Sequence, residues 1–276
     1  SRSTSYSFQR RNKVFDMNRL VFSLPFYATM LRSALDAGFH FCSFSQQTLH
    51  GNAEDYTCLL RHDVDADMHA AFIMAQEEHR IGIRTTYFVM LRSPLYNIMS
   101  RSSVRLLQRI LELGHWLGLH YDQGFLPDSH LSVTEWIQYE AETLEKMFHT
   151  DVTAISFHQP GATVLQGKVD TGKRINTYSP EHMSGIHYIS DSNRIFNGAL
   201  PQEIFTRRLF KKVQLLIHPL WWVYENEPTT ESAWESALLT NFSQMQEQLL
   251  ATERAYGPRR EFRIVRTIDT SKKSAE

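Results

Sequence analysis

Thr57-Cys58-Leu59-Leu60-Arg61-His62-Asp63-Val64-Asp65 runs from apolar residues into two carboxylates. It reads as a buried β-strand. In a strand, residues two apart point to the same side, so Asp63 and Asp65 face one way while His62 and Val64 face the other. Two acids that converge on one point suit a site in which one carboxylate holds a metal ion and the other takes a proton from water. The plainer reading is that the acids cap the following helix, Asp being a favoured N-cap residue. Asp67 is better placed for that task, which favours the functional reading.

On the C-terminal side, residues 68–80 bring Met68, Phe72, Ala75 and His79 close to one helical face, and Gly82 closes the helix. Residues 84–90 follow as a β-rich run. One helix between two strands makes them parallel neighbours joined by a right-handed crossover. The unit recurs as a helix at 104–113, a strand at 116–120, a helix at 136–148 and a strand at 152–157. Residues 161–180 read as loop, 186–189 and 213–217 as strands, 230–252 as a long helix and 262–268 as a final strand. On the N-terminal side, 25–37 reads as a helix, 40–44 as a short strand and 51–55 as a polar turn. Residues 1–20 read as a mobile tail, which leaves 21–276 expected as one domain. Strands alternating with helices at this spacing give an α/β fold with a mainly parallel sheet, open or closed as a barrel.

Composition narrows the function. The 276 residues are 42% hydrophobic, enough for a sizeable core, and carry a formal net charge of −1. No basic run suggests a nucleic-acid footprint, and no apolar stretch is long enough to span a bilayer. The two cysteines, Cys42 and Cys58, lack metal or redox spacing and read as buried free thiols. With no signal segment in view, the expected location is cytoplasmic.

The strand ends carry the pattern. Asp63 and Asp65 end one strand, His120 with Asp122 another, His158 a third, Asp191 a fourth and His218 a fifth. In parallel α/β folds these ends share one rim, where active sites are built. His115 starts its strand and belongs on the opposite rim. Carboxylates mixed with imidazoles suit a divalent ion, zinc foremost, with an open position for water. No G-x-S-x-G nucleophile elbow and no glycine-rich phosphate loop offers other chemistry.

These motifs resemble the NodB-like polysaccharide deacetylases of carbohydrate esterase family 4, over roughly 57–219. His62-Asp63-Val64-Asp65 is similar to the family's first motif, in a split-Asp form, and Gly114 through His120 to the approach of its second. Leu216-Ile217-His218 is similar to its leucine-x-histidine motif, and Ser190-Asp191-Ser192 to the segment whose acid tunes that histidine. The resemblance implies a distorted (β/α) barrel, with Asp63 as general base, Asp65 and His120 as metal ligands, and His218 as the acid oriented by Asp191. Two positions depart from the family pattern. Gly124 stands where the second metal histidine belongs, and His158 stands where the third motif brings an arginine. His158 is therefore expected as the third ligand, with Asp122 or water as the alternative. Trp221 and Trp222, directly after Pro219 and Leu220, are either flat faces for a sugar ring or core.

The expected activity is metal-dependent removal of an acyl group, acetyl foremost, from an N-acylated sugar or polysaccharide precursor. Two alternatives stand beside it: hydrolysis of a small non-sugar amide, and a non-catalytic relative that binds carbohydrate, which Gly124 and the missing arginine would suit.

Overall fold

The alternation of strand and helix recurs in the computed structural model, which describes residues 22–45, 48–49, 55–124, 130–196, 198–224 and 227–256. The expected tail at 1–20, the strand at 262–268 and most of the turn at 51–55 lie outside the described residues. Helix α1 (Leu24–Asp36) and strand β1 (His40–Phe41) precede the decisive strand β2 (Thr57–Val64). Then come α2 (Met68–Ile81), β3 (Thr86–Val89), α3 (Arg101–Glu112), β4 (Trp116–Asp122), α4 (Val133–Phe148) and β5 (Val152–His158). The second half holds α5 (Ala162–Leu165), β6 (Ile175–Asn176), α6 (Pro180–Met183), β7 (His187–Ser190), α7 (Pro201–Thr206), β8 (Lys212–Ile217), α8 (Pro219–Val223) and α9 (Thr230–Thr252).

Four of these elements fall where the sequence shows little period. The stretch 161–180, expected as loop, contains α5 and the strand β6, and α7 and α8 are short helices that bracket β8. Elements of two to six residues offer too few repeats for periodicity to register. Asp67 does cap α2, accepting from the amides of His69 (2.8 Å) and Ala70 (3.2 Å). Both cysteines are free, but only Cys58 is buried, because Cys42 lies just past the short strand β1 and is half-exposed.

Among the described residues every strand pairing is parallel, in the order β6-β5-β4-β3-β2-β8-β7. Strand β8 occupies one edge of β2, so β1, paired at Thr57 and Cys58, shares the other edge with β3, paired from Arg61 to Val64. The sheet is curled. In a flat sheet β6 would lie about 19 Å from β2, at about 4.8 Å per strand. Yet Arg61 on β2 donates to Thr177 Oγ1 (2.5 Å), one residue past β6, and Gln214 on β8 donates to the Thr177 carbonyl (3.2 Å). The sheet is therefore a half-barrel with β6 and β7 as its outer strands.

Alternation sorts the side chains of β2. Leu59 joins Phe44, Leu49, Phe88, Ala154 and Ile175 in an apolar cluster, the concave floor of the half-barrel. Gly118 on β4 makes room there, since a Cβ at that position would lie 2.4 Å from the Phe88 ring. On the convex side His62 meets the buried carboxylate of Glu78 from α2. Glu78 Oε1 lies 2.5 Å from both His62 Nε2 and the Tyr27 hydroxyl, while Oε2 accepts from Thr85 (2.7 Å) and Tyr87 (2.8 Å). His115 closes this cluster, its Nε2 donating to the Ala75 carbonyl (3.0 Å). It is structural, as its place at a strand start implied.

Candidate active site

The C-terminal ends of β2, β4, β5 and β8 open on one cavity of about 270 Å³. Asp63, Asp65, His120, His158 and His218 line it, with Tyr178, Trp221 and Trp234 among its aromatic walls. The curl of the sheet makes this convergence, since it turns side chains from strands several places apart toward one axis. Asp122 stays out: its carboxylate accepts from the amide of Gly124 (2.9 Å) and closes the turn after β4.

Asp65, His120 and His158 form a candidate metal-binding triad, each offering a ligand atom within 4.8 Å of the others. Asp65 Oδ1 lies 3.0 Å from His120 Nε2 and 3.4 Å from His158 Nδ1. Bonds of about 2.0–2.1 Å to a tetrahedral ion put ligand atoms about 3.3 Å apart, so the spacing fits. Asp65 Oδ1 is buried and makes no hydrogen bond. A buried carboxylate oxygen left unpaired is costly, and a cation between it and the two imidazoles removes that cost. Burial alone would raise the carboxyl pKa, but His120, His158 and His218 outweigh it and hold Asp65 well below the usual carboxylate range.

A neighbouring chain of bonds fixes which nitrogen of His120 is free. Ser156 donates its one hydroxyl proton to Asp63 Oδ1 (3.1 Å), because a carboxylate can only accept. The Ser156 oxygen, 2.6 Å from His120 Nδ1, therefore accepts the Nδ1 proton. The Nε2 lone pair is left facing Asp65, the orientation that ligation needs. The other oxygen of Asp63 is held by Arg61, whose Nη2 lies 3.0 Å away and is wholly buried. Arg61 also donates to Thr177 and to the Tyr178 hydroxyl (2.8 Å).

Across the cavity, His218 Nδ1 donates to Asp191 Oδ1 (2.6 Å), leaving Nε2 3.8 Å from Asp65 Oδ2. Burial alone would lower the His218 pKa, but the wholly buried Asp191 beside it more than compensates and pushes it up to about 9. Asp191 is fixed in turn by the His218 amide and by the indole N–H of Trp222 (2.8 Å). Trp222 is 0% exposed and packs against Phe22, Phe26 and Tyr27. It presents no face to a sugar, so of the two readings open for this residue the core one holds. Trp221 does line the cavity, set edge-on to Trp234 with ring centroids 5.8 Å apart.

Arg61, Ser156, Tyr178 and Trp234 escaped the sequence reading. Arg61 and Ser156 lie two residues before Asp63 and His158, so strand period alone places them on the same face. Tyr178 had no such signal, because it comes from the irregular segment past β6.

No protein-family model and no curated protein matches the chain. Solved structures do. A CE4 family pseudoenzyme from Bacillus anthracis is 15% identical over 72% of this chain and 63% of its own, with a TM-score of 0.38. The chitin deacetylase from the fungal pathogen Colletotrichum lindemuthianum is 12% identical over 68% of this chain and 81% of its own, with a TM-score of 0.36. A mutant of a peptidoglycan deacetylase from Bacillus subtilis is 12% identical over 75% of this chain and all of its own (100%), with a TM-score of 0.37. The chain spans 63% of the length of the first of these.

Proposed function

We propose that the chain is a metal-dependent hydrolase that removes an N-acyl group, acetyl foremost, from a sugar or a polysaccharide precursor. One observation carries the reading: a candidate metal-ligand triad, a hydrogen-bonded carboxylate and an Asp-paired imidazole all face a single cavity. Asp65, His120 and His158 would hold the ion, with zinc the first choice for a mixed imidazole and carboxylate set. When bound, such an ion supplies a Lewis acid for the carbonyl and lowers the pKa of a water.

The protein's own groups do the rest. Asp63, with one partner on each oxygen, takes the proton from the attacking water. His218, kept protonated by Asp191, gives a proton to the leaving nitrogen and so releases the amine. Trp221 and Trp234 offer apolar walls for a sugar ring. The cavity is slightly smaller than the range of about 300–1,000 Å³ usual for small-molecule sites, which suits one sugar unit at a time. Among the described residues no helix is long and apolar enough to cross a membrane.

The test is acetate release from N-acetylated sugars, oligosaccharides and simple amides by zinc-loaded and chelator-treated protein. Release from sugars alone, lost with chelator, is the expected result. Equal turnover of simple amides would move the substrate class away from sugars. Glycan binding without release under any divalent ion would replace the hydrolase with a binding protein.

A further inference from the structure

We infer that Tyr178 is a catalytic hydrogen-bond donor to the acyl oxygen, aimed into the cavity by Arg61. The inference rests on the deacylase reading above. Tyr178 lines the same cavity as Asp63, His120 and His218. Arg61 Nη2 donates both to Tyr178 Oη (2.8 Å) and to Asp63 Oδ2 (3.0 Å). A guanidinium has only donors, so the phenol oxygen is the acceptor in that bond and its own proton remains to be given. Among the described residues, that proton reaches no acceptor.

The ring is held on several sides. The guanidinium carbon lies 4.8 Å from its centroid, Phe157 and Tyr188 flank it at 6.3 and 6.4 Å, and the backbone amide of Tyr178 donates to Asn176 Oδ1 (2.9 Å). A hydroxyl that accepts from a cation becomes a stronger donor, because hydrogen bonds in a chain polarise one another. Burial holds the phenol above its ordinary pKa despite the opposing pull of Arg61, so it stays protonated and able to donate.

The reacting carbon dictates what receives the bond. It takes the oxygen nucleophile beside Asp63 and releases nitrogen beside His218. The remaining heteroatom on that carbon is the acyl oxygen, where negative charge grows as the carbonyl π bond opens. Tyr178 shares one guanidinium nitrogen with Asp63, so its hydroxyl flanks the carbon under attack and not the far side of the sugar. Tyr178 keeps its proton throughout, and its bond to the oxygen strengthens as the charge develops. A donor placed in this way acts on the transition state more than on the bound substrate.

Tyr178→Phe keeps the ring and the Arg61–Asp63 pair and removes the hydroxyl, which is both the donor in question and one of the acceptors of Arg61. The expected result is a fall in kcat of about 10²- to 10³-fold, with KM within about twofold. Affinity for a phosphonamidate analogue of the acetamido sugar, which carries the tetrahedral oxyanion, should fall by a similar factor, while affinity for the amino-sugar product should not change. Tyr178→Leu removes the ring contacts as well as the hydroxyl, so if the Phe variant does not fold, kcat and analogue affinity in the Leu variant should fall by at least the same factor. Raised KM with kcat intact would assign the hydroxyl to a sugar contact and overturn the inference, as would undiminished analogue affinity. Wild-type protein that releases no acetate would defeat the deacylase reading itself, whereas an active wild type with an equally active Tyr178→Phe would defeat only the role of Tyr178.

Discussion

Asp63 and Asp65 sit two residues apart on one strand and differ in what surrounds them. Asp63 has a hydrogen-bond partner on each oxygen, while Asp65 leaves Oδ1 without one beside two imidazole nitrogens. That difference sorts base from ligand. Asp63→Asn should retain full metal content, measured by elemental analysis, and lose about 10²- to 10⁴-fold in kcat; near wild-type turnover would remove it as the base. The proton on the leaving side belongs to His218, pushed up to about 9 by Asp191. The active form is the protonated one, so kcat should fall on the alkaline side as pH rises through about 9. Asp191→Asn removes the main raising influence, and the alkaline limb should then move toward the ordinary value near 6.5. A limb that stays in place in the variant would show that another group sets it.

Among the elements, α2 lies behind β2 and carries Glu78, whose carboxylate ties that helix to α1 through Tyr27, to β2 through His62 and to β3 through Tyr87. This network lies on the face of β2 opposite Asp63 and keeps the strand in place under the site. Glu78→Leu would leave buried imidazoles and hydroxyls without their acceptor, at a cost of about 3–5 kcal/mol in chemical denaturation. Burial alone would raise the Glu78 pKa, but His62, then His115 and Tyr27, outweigh it and lower it from 4.5 to about 2. A depressed carboxylate stabilises the fold above its unfolded pKa and loses that contribution as pH falls through the folded one. Between pH 4.5 and about 2 the wild type should therefore lose stability that the Leu variant does not have to lose. Parallel acid-denaturation curves for the two proteins would contradict this.

On the scale of the whole molecule, the candidate ligands come from three strands: Asp65 just past β2, His120 on β4 and His158 at the end of β5. An ion held by all three would link those strands only when the sheet is folded and curled. Binding to the native state alone stabilises it by about 2.7 kcal/mol at a hundredfold excess of free ion over Kd. Zinc should raise the melting temperature, chelator should reverse the rise, and Asp65→Ala, His120→Ala and His158→Ala should each abolish it. A rise that persists in His158→Ala would take that imidazole out of the ligand set and return the third position to water.

The sequence by itself determined the alternation of strand and helix, the parallel sheet, the cap at Asp67 and the rim on which Asp63, Asp65, His120, His158 and His218 meet. These follow from local periodicity and from the rule that parallel strands end together. The sequence left open whether Trp222 faces sugar or core, and gave no sign that Tyr178 reaches the cavity. Tertiary structure decided both. Trp222 is buried because α8 turns its indole back onto Asp191, and Tyr178 enters because the curl of the sheet brings the segment past β6 over Arg61. Neither contact is local: Trp222 is separated from Asp191 by 31 residues and Tyr178 from Arg61 by 117. The first follows from the pairing of β7 with β8 and the second from the curl of the half-barrel, and no periodicity along the chain encodes either.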